Sequence, residues 1–365
     1  MKITVVGGGN GAFAVAADLA LNGHEVSLLE SPAFAEGIEK VRSIGGIELE
    51  SLPSSGRANG FAKLADISTC PEKALADAEL VFVVVPAYAQ KYMAEFCAPH
   101  LNNKQTICLM PGNLHGSVEF MQTLRRCGNN AVEAVAEIEC LIYTATRSES
   151  KVSIRGFKQG LGMAVFPARC ADAAEKVRSV YPTLKLRKNV LATGVSNPNV
   201  LLHVPMVLLN FTNVERGLDV LSFHAAFTPG VARLVEAMDT ERMRLAERGL
   251  ADIVTTGEMV RSWYSGQGAR GTTVYDIMST NPLYAASKLP KKLDHRYFTE
   301  DVPYGIWPIA ELLRLCGLPC DGFEAAAKLA GIACGNDFQR EARTLSSLGF
   351  NLDEKELIAY ITEGT

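Results

Sequence analysis

Apolar residues fall into short unbroken runs over the first half of the chain and into helical spacing over the second. Residues 3–6 (Ile-Thr-Val-Val) are apolar and β-branched and end at Gly7-Gly8-Gly9, the form of a parallel strand buried on both faces. Ala12, Val15, Ala16, Leu19 and Ala20 then share one helical face, Asn22-Gly23 stops that helix, and residues 26–29 form a second strand, closing a βαβ unit. Residues 80–85, 106–110 and 132–138 supply further strands, with helical stretches between the earlier ones. The alternation predicts an α/β fold: an open, doubly wound, mostly parallel sheet with helices on both faces and ligands at the carboxyl ends of its strands.

Beyond about residue 188 the strand-like runs thin out. Patterns such as Val231, Leu234, Val235 and Met238 on one face of a charged segment predict a second domain that is mostly α-helical. The polar stretch Leu186-Arg187-Lys188-Asn189 is the expected join, giving domains 1–188 and 189–365. Residues 262–273, rich in Gly and Ser, read as a loop over a site.

Gly7-x-Gly9-x-x-Ala12 sits where a strand gives way to a helix, the context that makes such a pattern a Rossmann-type dinucleotide fingerprint. Gly7 permits the tight turn, Gly9 removes a side chain that would block a pyrophosphate, and Ala12 lets helix and strand approach. The first helical N–H groups then face the phosphates, with the helix dipole behind them. Glu30 ends the second strand 18 positions after Ala12, where a carboxylate accepts from ribose hydroxyls and repels a phosphate. This favours NAD, while Lys40 and Arg42 nearby leave NADP open.

Length and composition narrow the class. The chain has 365 residues, 48% hydrophobic and 21% charged, as expected of a folded protein of two domains. A net charge of −4 argues against nucleic acid as a partner. The nine cysteines are scattered, with no C-x-x-C and no zinc-ligand spacing, so neither a disulfide framework nor a metal is expected. Nothing resembling a leader precedes the first strand and no stretch reaches membrane-spanning length, so a cytoplasmic protein is expected.

Hydride transfer to a carbonyl or imine carbon needs a proton donor, and imidazole titrates in the useful range. Of six histidines, His24 sits on a turn and His100 in a loop. His203 lies in an apolar helical stretch preceded by Asn197-Pro198-Asn199. Its functional reading competes with that of a satisfied core histidine. A second cluster, Asp294-His295-Arg296-Tyr297-Phe298-Thr299-Glu300-Asp301, reads either as a solvated loop or as an arginine and a carboxylate that serve a substrate and an imidazole.

Several segments together resemble the opine (octopine/nopaline) dehydrogenases. They are Val6-Gly7-Gly8-Gly9-Asn10-Gly11-Ala12, Ala17-Asp18-Leu19-Ala20, Val85-Pro86-Ala87, Pro111-Gly112-Asn113, Ala136-Glu137 with Tyr143 and Arg147, residues 196–210, and Thr299-Glu300-Asp301-Val302-Pro303-Tyr304-Gly305. The first is shared with many dehydrogenases; Asn197-Pro198-Asn199 through His203, taken with Glu300-Asp301-Val302-Pro303, is the specific part. The resemblance implies NAD(P)H-dependent reductive condensation of an amino acid with a 2-oxo acid to an N-(carboxyalkyl)amino acid, in a cleft between the domains. It implies His203 and Asp301 as a catalytic dyad, and Arg296 and Asn199 as substrate ligands. Gly7, Gly9, Asn10, Gly11, Ala12, Glu30 and Pro86 would hold the nucleotide, and a homodimer is the expected assembly. The chain departs from the family at Ala12, at Val204 between the histidine and Pro205, and by one extra residue between Tyr143 and Arg147, so Arg147 is not carried over as a ligand. Two other readings stay open. One is a ketopantoate reductase or glycerol-3-phosphate dehydrogenase type of enzyme with a lysine donor, for which Lys288, Lys291 and Lys292 are the candidates. The other is a non-catalytic NAD(H) sensor.

Overall fold

The first βαβ unit sets the centre of the main sheet. In the computed structural model, which describes residues 1–364, β1 (Lys2–Val6) is flanked by β2 (Glu25–Leu29) on one side and β6 (Leu80–Val83) on the other, both parallel to it. With β5 (Asp66–Ser68), β7 (Thr106–Leu109), β8 (Val135–Ile138), β11 (Gly162–Phe166) and β12 (Lys185–Leu186), the order is β12-β11-β8-β7-β6-β1-β2-β5. Only the β8–β11 pairing is antiparallel. The chain order reverses at β1, so a crevice opens at the carboxyl ends of β1 and β6, the position at which open α/β sheets bind ligands.

A second sheet, of order β4-β3-β10-β9, joins β3 (Gly46–Ser51) and β4 (Gly60–Lys63) to β9 (Tyr143–Ser148) and β10 (Lys151–Phe157). It packs on the Asn10–Leu21 helix, which also lies against β1 and β2. That double cover explains why the helix buries every residue from Gly11 to Leu19 rather than one stripe, and why its sequence is small and apolar all round. The one charge inside this layer, Asp18, accepts from the Tyr143 hydroxyl at 2.6 Å and pairs with Arg57 at 3.2 Å.

The chain clusters into two units: Met1–Gly112 with Gly116–Leu186, and Asn113–His115 with the chain from Arg187 onward. The second is helical. Its longest helix, Pro229–Glu247, is started by Thr228, whose hydroxyl accepts from Val231 N–H, and it buries Val231, Val235 and Met238 against neighbouring helices. The 262–273 stretch is not one loop. Residues through Tyr264 complete the Thr256–Tyr264 helix, a short turn follows at Ser265–Gln267, and Thr273 caps the Val274–Thr280 helix. The capping boxes Thr255/Glu258 and Thr273/Asp276 override the Gly and Ser content on either side. Asn113 and His115 hold left-handed backbone, at φ 57 and 63, and Leu114 sits against Gly194, where a Cβ would meet the Leu114 Cα at 2.8 Å.

Candidate active site

The nucleotide fingerprint folds as a tight turn. Gly7 adopts φ +121, and a Cβ there would lie 2.6 Å from the Val84 carbonyl oxygen, so only glycine lets β1 and the end of β6 come this close. Gly9 precedes the first helical turn and no side chain caps it; a Cβ at Gly9 would meet nothing within 4 Å. Uncapped N–H groups facing open space suit a pyrophosphate. Gly11 is packed under Leu141 and Val84, and Ala12 is fully buried. Asn10 is exposed, its side-chain oxygen accepting from the Arg147 backbone N–H at 3.1 Å. Pro86 is half-buried, directly ahead of the Ala87–Cys97 helix.

Glu30 closes β2 at 6% exposure. Burial raises its proton affinity, opposed by hydrogen bonds from the Ser31 and Gly8 N–H groups and by the charge of Arg147. Together with Gly8, Phe34, Gly37 and Arg147 it lines a cavity of about 350 Å³. The turn, the uncapped helix start and the carboxylate at the pocket wall fit an adenine dinucleotide. Of the cations, Arg42 instead bonds Glu39 and the Ile67 carbonyl, and Lys40 is exposed.

In the helical unit, Asn197 starts the Pro198–Leu208 helix: its side chain accepts from Asn199 N–H at 3.1 Å, and Pro198 takes the first turn, where no donor is needed. Asn197 also donates to the Asn113 side-chain oxygen at 2.6 Å. Asn199 is half-buried on that first turn. One turn on, His203 is 9% exposed, and its Nδ1 lies 2.8 Å from Asp301 Oδ2, itself 4% exposed. An ionised carboxylate only accepts, so Nδ1 carries the proton in this pair.

The charged cluster around Asp301 surrounds that pair. Tyr297 stacks on the His203 ring, with centroids 3.7 Å apart and planes at 18°. His295 meets the Tyr297 ring edge-on and its Nδ1 accepts from the Tyr297 N–H. Burial first, then the neighbouring His203 and Arg296, lower the proton affinity of His295. Arg296 is 53% exposed and paired through Nη2 with the buried Glu300 carboxylate at 3.1 Å. Sequence reading singled out this segment but missed the roles of Tyr297 and His295, because stacking across two distant segments leaves no periodic trace. Lys288 and Lys291 sit on Asp219 at 2.6 and 4.0 Å, all three exposed, and Lys292 is exposed as well.

A dinucleotide crevice on a doubly wound sheet and a buried His–Asp pair in a helical domain define a nicotinamide-dependent dehydrogenase. Residues 186–334 match the family described as NAD/NADP octopine/nopaline dehydrogenase, alpha-helical domain. The chain is 32% identical over 350 residues to an opine dehydrogenase of Arthrobacter sp. (strain 1C), covering 95% of this chain and 94% of that one. The chain therefore belongs to the opine (octopine/nopaline) dehydrogenase family, NAD(P)-dependent oxidoreductases acting on the CH–NH group of donors. Among solved structures, octopine dehydrogenase in complex with NADH and agmatine shares the fold at TM-score 0.79 and 19% identity, covering 100% of this chain and 98% of that one. Yersinopine dehydrogenase with NADP+ bound does so at TM-score 0.70 and 15% identity, over 100% and 98%.

Proposed function

We propose that the protein condenses an amino acid with a 2-oxo acid and reduces the resulting imine, with His203 as the acid–base group, Asp301 as its orienting carboxylate, and Arg296 and Asn199 as substrate ligands. The observation that carries this reading is the buried 2.8 Å contact between His203 Nδ1 and Asp301. His203 Nε2 takes a proton from the substrate ammonium, the freed amine attacks the keto carbon to give a carbinolamine, and the imidazolium returns that proton to the departing hydroxyl, which leaves as water. Asp301 stabilises the imidazolium and holds its ring plane against Tyr297. Arg296 takes the oxo-acid carboxylate by exchanging it for Glu300, a bidentate match that its exposed position permits. The bound nicotinamide cofactor supplies hydride to the imine carbon. Holding both substrates side by side removes the bimolecular entropy cost of imine formation.

In this reading residues 1–188 are the dinucleotide-binding domain and residues 189–365 the substrate and catalytic domain. Gly7, Gly9, Asn10, Gly11, Ala12, Glu30 and Pro86 hold the nucleotide. A cytoplasmic location is supported by nine cysteines that all stand as free thiols. A homodimer is supported by Ile332 and Leu329, exposed together on the Asp321–Cys334 helix. Among the described residues no helix is long and apolar enough to cross a membrane.

The test is an NADH-oxidation screen of amino acids against pyruvate, glyoxylate and 2-oxoglutarate, with NADPH in parallel. Oxidation that requires both partners is the expected result. Oxidation by an oxo acid alone overturns it in favour of a 2-hydroxy-acid dehydrogenase. Nucleotide binding with no turnover across the panel overturns it in favour of a sensor.

A further inference from the structure

The nucleotide pocket contains a cation that strand-end reading does not anticipate. Arg147 lies on β9, at the edge of the small sheet and more than a hundred residues beyond Glu30, yet it lines the same cavity as Gly8, Glu30, Phe34 and Gly37. It is held there three ways. Its backbone N–H donates to the Asn10 side chain at 3.1 Å, its Nη1 donates to the Gly37 carbonyl at 2.8 Å, and its guanidinium carbon stands 4.4 Å above the Phe13 ring. Asn10 and Phe13 belong to the first turns of the helix that follows the fingerprint, so the arginine is anchored to the machinery that receives the phosphates.

Glu30, opposite, is drawn back. It is buried, and it accepts hydrogen bonds from the Ser31 N–H at 2.7 Å and from the Gly8 N–H. A carboxylate whose lone pairs are committed to backbone donors repels an incoming phosphate less than one standing in the pocket mouth. A planar guanidinium on the other wall matches phosphate oxygens bidentately. Lys40 and Arg42, the nearby cations in sequence, are not among the residues that line the cavity.

We infer that Arg147 is the cofactor-specificity residue: its guanidinium takes the 2′-phosphate of NADP(H), so that one pocket accepts both nucleotides and the opposition of Glu30 and Arg147 sets their ratio. The inference rests on the dinucleotide reading of this pocket and adds to it the residue that discriminates.

The test is calorimetric binding of NADH, NADPH, 5′-AMP and 2′,5′-ADP to the wild-type protein and to Arg147→Gln, Arg147→Lys and Glu30→Gln. Loss of charge-assisted hydrogen bonds to a phosphate predicts that Arg147→Gln weakens NADPH and 2′,5′-ADP by about 10- to 100-fold and NADH by less than about threefold. Arg147→Lys restores most of the NADPH affinity, and Glu30→Gln shifts preference toward NADPH. Equal losses for NADH and NADPH in Arg147→Gln overturn the inference and reduce Arg147 to an adenine or backbone contact. So does wild-type protein that binds NADH and 5′-AMP but neither phosphorylated counterpart; in both cases the dehydrogenase reading stands. Wild-type protein that binds no nucleotide at all overturns both.

Discussion

Replacing Asp301 by Asn removes one negative charge and almost no volume, and so isolates what the carboxylate does for His203. The pair is nearly dry, with side chains 11% and 4% exposed, and the contact is 2.8 Å. A hydrogen bond to a charged group contributes about 1.5–3 kcal/mol and one between neutral groups about 0.5–1.5, so exchange for an amide weakens the resting contact by about 1–2 kcal/mol. The imidazolium present during proton transfer loses its counterion as well, an interaction of about 4 kcal/mol at 4 Å and an effective dielectric near 20. Taken as lower and upper bounds on one interaction rather than as a sum, these bracket a transition-state loss of about 2–4 kcal/mol, or roughly 30- to 900-fold in kcat/KM. The asparagine can also turn its NH2 toward Nδ1 and so select the wrong tautomer, which acts in the same direction. The assay is steady-state oxidation of NADH with a productive amino acid and oxo acid pair, alongside calorimetric NADH binding. A fall in kcat/KM within that range, with NADH affinity unchanged, is expected. A loss below about threefold, or a parallel loss of nucleotide affinity, refutes the role assigned to the pair.

Three further outcomes follow from packing and charge. Gly7→Ala forces a side chain into φ +121 and against the Val84 carbonyl at 2.6 Å; it should cost about 1–3 kcal/mol in backbone strain alone and weaken NADH binding, and unchanged calorimetry and melting temperature would contradict the turn's role. Asp18→Ala removes the fully buried acceptor of the Tyr143 hydroxyl and the partner of Arg57, while Tyr181 still bonds Tyr143 and Arg57 keeps partial access to solvent; a loss of about 1.5–3 kcal/mol, read as a melting point lower by about 3–12 °C, is expected, and a shift below about 2 °C counts against it. Burial, aided by Arg343, holds the His115 imidazole down at about 3 against an ordinary 6.5, so between those values the unfolded chain binds a proton that the folded one does not, and stability falls as pH drops through the window. His115→Asn, tolerable at φ 63, should recover about 2–3 kcal/mol of stability at pH 4.5 relative to pH 7; a denaturation profile with unaltered pH dependence would refute this.

The fingerprint and its strands were legible because each carries its signal locally: a β-branched run, a glycine turn and a small-residue helix lie within thirty residues. The small sheet was not. β10 pairs with β3 in parallel, Lys151 opposite Glu48, about a hundred residues away, and alternation over so few positions does not name a partner. Two consequences for the site follow from that one gap. The Asn10–Leu21 helix read as one-sided because its second covering layer was invisible, which left Asp18 without a reason to be charged. Arg147 read as an uncertain ligand because only the β9–β10 hairpin, seated on that helix, brings it to Glu30. The His203–Asp301 contact is the complementary case. It spans 98 positions, and no spacing rule reaches so far; a shared pattern of residues with a known family pointed to the pair, and the physical content came from the geometry. Local sequence therefore says which groups a dehydrogenase has available. Which of them stand opposite one another is decided by long-range pairing, as Arg147 across from Glu30 and Tyr297 on His203 show.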